Sequence, residues 1–202
     1  MLFYTTDLEE FTLLLERLVK GSDVCLNIIC RGTIDSSLEK AIAGILPFYG
    51  RQVKVRHRTF QPSDPNAQPV YALAYEVGHI FNLLWSNFNK YMDFLPSTDL
   101  LTDYIKNKTV IVNRSEEGID GFIIYHSRGK VADYNYLFCR SRDITAYAMM
   151  LNSLYAELRR RNINNFFGWV DAKNTMLLRT YIKAGYELEN ISNYFFKNSC
   201  QT

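Results

Sequence analysis

Apolar residues in the first third of the chain alternate between two periods. Leu8, Phe11, Leu14, Leu15 and Leu18 recur at helical spacing, so residues 7–20 read as a helix stopped by Gly21. Asp23 to Cys30 is a nearly continuous apolar run, which predicts a strand in the centre of a sheet. Asp35 stands where a helix cap belongs, ahead of Leu38, Ala41, Ile42 and Ile45 on one face, and Pro47 and Gly50 end that helix. From Arg51 to Phe60 the period falls to two. Val53, Val55, His57 and Thr59 share one side, and Lys54, Arg56 and Arg58 share the other. That basic stripe reads either as an anion site or as the solvated face of a strand guarding a sheet edge.

Gln61 to Pro69 holds three of the five prolines together with Ser, Asp and Asn, which predicts a linker. The chain therefore divides on paper into a small αβαβ domain, 1–66, and a larger domain, 67–202. Beyond the linker, Pro69 to Ala74 reads as a short strand. Val77 to Tyr91 reads as a helix with Val77, Ile80, Leu84, Phe88 and Tyr91 on one face. Ser97 caps a shorter helix ending near Asn107. Three alternating runs follow: Lys108 to Asn113, Asp120 to His126 and Val131 to Phe138. Short polar turns join them, which predicts an antiparallel meander. A long amphipathic helix then leads to a strand at Asn165 to Val170, a helix opening near Asn174, and a last alternating run from Glu187 to Lys197.

The segment from Val131 to Val170 is strand, loop, helix, strand. Such a crossover makes its two strands parallel and its connection right-handed. Where the first strand ends, the N–H groups of the helix's first turn point outward, and such a terminus attracts phosphate.

Asn174, Tyr181 seven residues on, and Gly185-Tyr186 beyond it reproduce the spacing of a known motif. The segment resembles the closing motif of the GNAT acyltransferases. Upstream, Arg142, Thr145 and Tyr147 fall where that family usually has Arg-x-x-Gly-x-Gly/Ala, so the Arg is kept and both glycines are replaced. The resemblance covers roughly the C-terminal two-thirds of the chain. It implies an α/β fold with a mixed α+β sheet, GNAT-like, whose splayed central strands hold an acyl thioester, preceded here by the αβαβ unit.

The resemblance also implies roles. The loop and first turn from Arg140 to Tyr147 (Arg140, Arg142, Asp143, Ile144, Thr145, Ala146 and Tyr147) would hold the pyrophosphate of acetyl-CoA or another acyl-CoA. The strand end at Leu137 and Phe138 would pair with the pantetheine arm, which resembles a peptide. Asn174 would contact the amide arm, and it also suits a helix N-cap. Tyr181 would be the general acid for the departing thiolate. Asp133 sits in the strand where many members carry an acidic residue, and it is the expected proton acceptor. An Asp is locally disfavoured in a strand, and simple alternation puts Asp133, Asn135 and Leu137 on one face. His126 is a second candidate. Trp85, Phe88, Tyr91 and Phe94 would line the acceptor pocket, although aromatics at helical spacing also build cores.

Composition narrows the rest. Hydrophobic residues make up 48% and charged ones 22%, as in an ordinary globular protein. A formal net charge of +2 is too small to point to a nucleic-acid partner. Cys25, Cys30, Cys139 and Cys200 have no metal-site spacing, so no metal is expected. No leader-like or membrane-length apolar run occurs, which suggests a cytoplasmic protein. The first unit is small enough to need a partner surface, either the remainder of the chain or a second copy in a homodimer. The resulting expectation is an acetyl-CoA-dependent N-acetyltransferase acting on a primary amine of a small molecule, such as an amino acid or amino sugar. The missing glycines leave open a catalytically inactive GNAT-like module that binds an acyl-CoA or a partner.

Overall fold

A computed structural model describes residues 7–20, 22–58, 60–140 and 144–198. In chain order the elements are α1 (Leu8–Val19), β1 (Cys25–Arg31), α2 (Ser36–Ala43), β2 (Phe48–His57), a 3-10 turn (Ala74–Glu76), α3 (Val77–Asn87) and α4 (Thr98–Lys106). Then come β3 (Val110–Ser115), β4 (Gly118–Arg128), β5 (Val131–Cys139), α5 (Ile144–Arg160), β6 (Asn165–Asp171), α6 (Thr175–Lys183) and β7 (Glu187–Lys197). The strands form one mixed sheet in the order β1-β7-β2-β6-β5-β4-β3. β3, β4 and β5 are the expected antiparallel meander, and β5 pairs with β6 in parallel across the α5 crossover.

Local chemistry sets the helix starts. Asp7, Asp35 and Ser97 each accept hydrogen bonds from backbone N–H groups of the first turn, where a helix has donors to spare. Chain packing forms two compact units. One contains the described residues up to Lys54, Val170–Thr180 and the described residues from Leu188 on. The other contains Val55–Trp169 and Tyr181–Glu187. Within the first unit, Leu15, Ile34, Ile42, Leu46, Tyr194 and Phe196 make a core against which Leu26, Ile28 and Cys30 pack. β1 pairs antiparallel with β7, the last strand of the chain. Within the second unit, α3 and α4 cover one side of the meander through Ile80, Leu84, Leu101, Ile105, Val112, Phe122, Ile124 and Tyr136.

Four expectations change. β1 is an edge strand, not a central one, and its residues alternate between half-buried and exposed. Only Leu26, Ile28 and Cys30 face the core, and Ile29 on the other side is 59% exposed, so the apolar run overstated burial. β2 is interior, not an edge. Its basic residues have partners. Lys54 Nζ lies 3.5 Å from Glu189 Oε2, Arg58 Nε lies 3.4 Å from Glu187 Oε2, and Arg56 donates to Asn165 Oδ1 at 3.2 Å. Residues 69–74 make only a single bridge, Tyr71 to Ile111, before the 3-10 turn. α3 stops at Asn87 because Phe88 turns extended and Asp93 Oδ2 accepts from the N–H of Asn89 to form a separate turn.

Candidate functional site

The ladder between β5 and β6 runs only from Val131↔Asn165 to Tyr134↔Gly168. β5 continues to Cys139 with β4 on its other side, so among the described residues 135–139 have no partner on β6. This is the splay expected from the resemblance. Two neighbouring features locate it. Gly168 stands at the last paired position, and a Cβ there would lie 2.1 Å from Cζ of Tyr134. The Tyr134 ring therefore lies across β6, an approach open only to glycine. A β-bulge follows at once: Tyr134 faces Tyr125 and Tyr136 faces Ile124, so Asn135 is the extra residue.

The bulge reverses one expectation. Leu137 is opposite Ile123 and Asp133 is opposite His126. Ile123 and His126 are three residues apart on β4, so Asp133 and Leu137 lie on opposite faces, not on one. The inserted residue also turns Tyr134 and Tyr136 apart. The Tyr136 hydroxyl donates to the carbonyls of Asp93 and Phe94 at 2.9 and 2.7 Å, on the side covered by α3 and α4. Tyr134 joins the side of α5, with its ring centroid 5.2 Å from Phe166 and 5.9 Å from Tyr181.

Tyr181 is held by its helix end. α6 closes in a full Schellman motif: the Tyr186 N–H donates to the Tyr181 carbonyl at 3.0 Å, and the Gly185 N–H donates to the Ile182 carbonyl at 3.0 Å. Gly185 has φ +87°, the left-handed conformation this cap requires. The Tyr186 ring packs back on Tyr181 at 4.7 Å. The Tyr-x-x-x-Gly-aromatic spacing is thus a cap that fixes the tyrosine. At the other end of α6, the Asn174 Oδ1 accepts from the N–H of Leu177 at 3.1 Å, so Asn174 is an N-cap whose NH2 alone is left to donate.

Tyr181 is only 1% exposed, and burial first, then the neighbouring Tyr147, pushes its phenol well above the ordinary value. Tyr134 is shifted in the same way, by burial and by Tyr181. Tyr147, on the first turn of α5, is half-buried as a residue, yet its hydroxyl is fully buried and interacts with Tyr181. The hydroxyls of Tyr134 and Tyr147 have no well-formed hydrogen bond, although each interacts with the Tyr181 phenol. Next to them the Tyr155 and Tyr186 hydroxyls bond each other at 2.7 Å. His57 packs on Tyr186 at 4.8 Å and on Tyr155 at 5.8 Å, and burial lowers its pKa.

On the opposite face Asp133 is about one-third exposed, with Oδ2 3.8 Å from His126 Nδ1. The Asn135 side-chain amide nitrogen lies 3.0 Å from that Nδ1. Tyr104 of α4 meets His126 edge-on at 4.5 Å. Burial, then the charge of Asp133, raises the pKa of Tyr104.

The other sequence candidates are spread out. Phe138 packs on Phe122 at 5.4 Å. Phe88 packs on Tyr136 at 5.4 Å and belongs to the core. Trp85 and Phe94 are 47% and 65% exposed, and Tyr91 is half-buried. Arg140 shares an open depression with Ser115, Glu116, Glu117 and Asp120. Thr145 is exposed and Ala146 half-buried at the start of α5. Arg142 and Asp143 lie outside the described residues, as does the side chain of Ile144. The sequence reading missed Tyr134, Gly168 and the bulge at Asn135. A lone glycine inside β6 was the available signal for a close approach.

Comparison with known proteins turns on structure. No protein-family model matches the sequence, and no curated protein does. Solved structures match along most of the chain. A GCN5-related N-acetyltransferase from Sphaerobacter thermophilus aligns with TM-score 0.66 and 12% identity over 89% of this chain and 61% of its own. A putative acetyltransferase of the GNAT family from Novosphingobium aromaticivorans aligns with TM-score 0.65 and 11% identity over 94% of this chain and 81% of its own. A tandem GNAT protein from the clavulanic acid biosynthesis pathway aligns with TM-score 0.54 and 10% identity over 93% of this chain. The chain thus spans just under two-thirds of the first of these. At such identities the likeness is one of fold.

Proposed function

From the premise that this chain has the GNAT acetyltransferase fold, we propose that it transfers an acyl group from acetyl-CoA, or another acyl-CoA, to a primary amine of a small molecule. The observation that carries the reading is the parting of β5 from β6 just past Tyr134, with Tyr181 beside the gap.

The residues present fit such a group in two respects. The β5 edge from 135 to 139 offers backbone donors and acceptors to a peptide-like arm. Two buried hydroxyls without a well-formed hydrogen bond, Tyr134 and Tyr147, suit a ligand that brings acceptors. When bound, an acyl-CoA supplies a thioester whose carbonyl carbon forms the new C–N bond while the sulfur leaves with the C–S bonding pair.

The chain's own part follows from its two faces. Burial keeps Tyr181 protonated at neutral pH, so it acts as a hydrogen-bond donor and proton source to a developing thiolate, never as a base. The amine must give up one proton. Asp133, with His126 beside it, is the acceptor that faces the other way, toward α4. Because the amine nitrogen and the departing sulfur meet on one carbon, the amine's proton reaches Asp133 on the far face through a water relay. The first turn of α5 is where a diphosphate would meet backbone N–H groups. Trp85 and Phe94, exposed at α3 and in the segment after it, are the acceptor-pocket aromatics that remain accessible. We place the protein in the cytoplasm. Among the described residues no helix is long and apolar enough to cross a membrane.

Tyr181's near-complete burial favours a second reading, a module that binds an acyl-CoA without catalysis. One experiment separates them: incubation with acetyl-CoA and a panel of amino acids and amino sugars, following thiol release. Amine-dependent release supports transfer. Thermal stabilisation by CoA with no release supports the binding module. The absence of both release and stabilisation would exclude both readings.

A further inference from the structure

Among the buried polar groups of the second unit, most have partners. Glu76 is paired with Arg114 at 2.7 Å, and Glu157 with Arg161 at 2.6 Å and Arg160 at 3.1 Å. The Tyr136 hydroxyl has two carbonyls, and those of Tyr155 and Tyr186 have each other. Among the phenols Tyr134 and Tyr147 break the pattern: both hydroxyls are buried without a well-formed hydrogen bond, although each interacts with the phenol of Tyr181. Both border Tyr181. Tyr134 is placed there by Gly168 and by the bulge, and Tyr147 by the first turn of α5.

A phenol that has lost water without gaining a partner is costly, and native structures keep few such groups without a use. Two of them beside a third phenol, at the point where two strands part, form a set of donors that have only one another's oxygens to accept them. The family resemblance expects glycine or alanine at position 147, and nothing in the packing of α5 calls for a hydroxyl there.

Resting on the acyl-CoA reading above, we propose that Tyr134 and Tyr147 join Tyr181 in a three-phenol sulfur site, each donating a hydrogen bond to the departing thiolate as the C–S bond breaks. The amine's proton goes to the opposite face. The sulfur keeps the bonding pair and takes its proton from Tyr181, which regains one from solvent after the thiol leaves, so the three tyrosines start and finish protonated. Such donors act most strongly in a water-free site, where charge develops against fixed dipoles. The site also accounts for tyrosine at 147. It replaces a glycine of the phosphate loop with a donor whose ring turns into the unit, toward Tyr181.

The test is calorimetric titration of the wild-type protein, Tyr134→Phe and Tyr147→Phe with CoA and with desulfo-CoA, which lacks the sulfur. Thermal unfolding of the free proteins runs alongside. In a titration at about pH 9, above the ordinary thiol pKa of about 8.5, wild type should bind CoA at least about tenfold more tightly than desulfo-CoA, since hydrogen bonds to a charged acceptor are the strong ones. Each variant should lose most of that preference while binding desulfo-CoA as wild type does. The free variants should melt at or above the wild-type temperature, because each loses a buried hydroxyl that had no well-formed hydrogen bond. Variants that keep the full preference for CoA, or that melt lower with unchanged binding, would overturn the sulfur site and leave the acyl-CoA reading standing. A wild-type protein that binds neither ligand would overturn both.

Discussion

Asp133 and Tyr134 are neighbours in the chain and opposites in environment. Asp133 is about one-third exposed beside His126, on the face toward α4. Tyr134 is 6% exposed among phenols, on the face toward α5. One strand thus carries a charged, wet side and a neutral, dry side a single residue apart. The difference shows what the bulge at Asn135 accomplishes. Without it Tyr136 would follow Tyr134 to the α5 side. With it, Tyr136 anchors the α3/α4 side through the carbonyls of Asp93 and Phe94. The strand changes its facing at the point where it leaves β6.

The largest expected effect comes from filling the crossing point. Gly168→Val puts a branched side chain where even a Cβ lies 2.1 Å from the Tyr134 ring. It should cost about 3 kcal/mol in urea unfolding, the upper range for overpacking. A Tyr134→Ala background should remove most of that penalty. If it does not, the close approach is not what demands glycine.

On the dry face, Tyr181→Phe should lower turnover about 100-fold while leaving the affinity for desulfo-CoA within about twofold. An unchanged rate would remove Tyr181 from the mechanism. Gly185→Ala should cost about 1–2 kcal/mol in the same unfolding measurement, because alanine must take up the left-handed backbone of the Schellman cap. On the wet face, Asp133→Asn should slow turnover about fivefold at neutral pH, with an unchanged melting temperature, because an exposed carboxylate contributes to chemistry more than to packing.

The smallest effect is one of pH. Burial lowers the His57 pKa below its ordinary value of 6.5. The unfolded chain therefore binds a proton that the folded one resists. Stability is full above about 6.5 and declines as pH falls from there toward the folded value. His57→Phe should flatten that part of the stability curve, read by thermal unfolding across pH. An unaltered curve would assign the acid sensitivity elsewhere.

How much of this was legible in the sequence depends on whether the cause was local. α6 was legible at both ends because an Asn cap and a Gly-ended Schellman turn are written in neighbouring residues. The meander and the crossover were legible because period and turn residues change within a few positions. The edge position of β1 was not, since it depends on β7 arriving from the far end of the chain. Nor was the bulge: the alternation of residues 131–139 runs through it unbroken, and only the register against β4 shows the extra residue. For the same reason the sequence put Asp133 and Leu137 on one face. The inward turn of Tyr147 depends on Tyr134 and Tyr181, which lie 13 residues before it and 34 after it in the chain.

The most direct measurement is a crystal structure of the protein grown with CoA. The arm should lie along residues 135–139 of β5, with its sulfur within hydrogen-bond reach, about 3–3.5 Å, of the Tyr181 hydroxyl. A CoA bound away from the fork, or no CoA in the fork of a crystal grown with saturating CoA, would contradict the assignment of this cleft to acyl transfer.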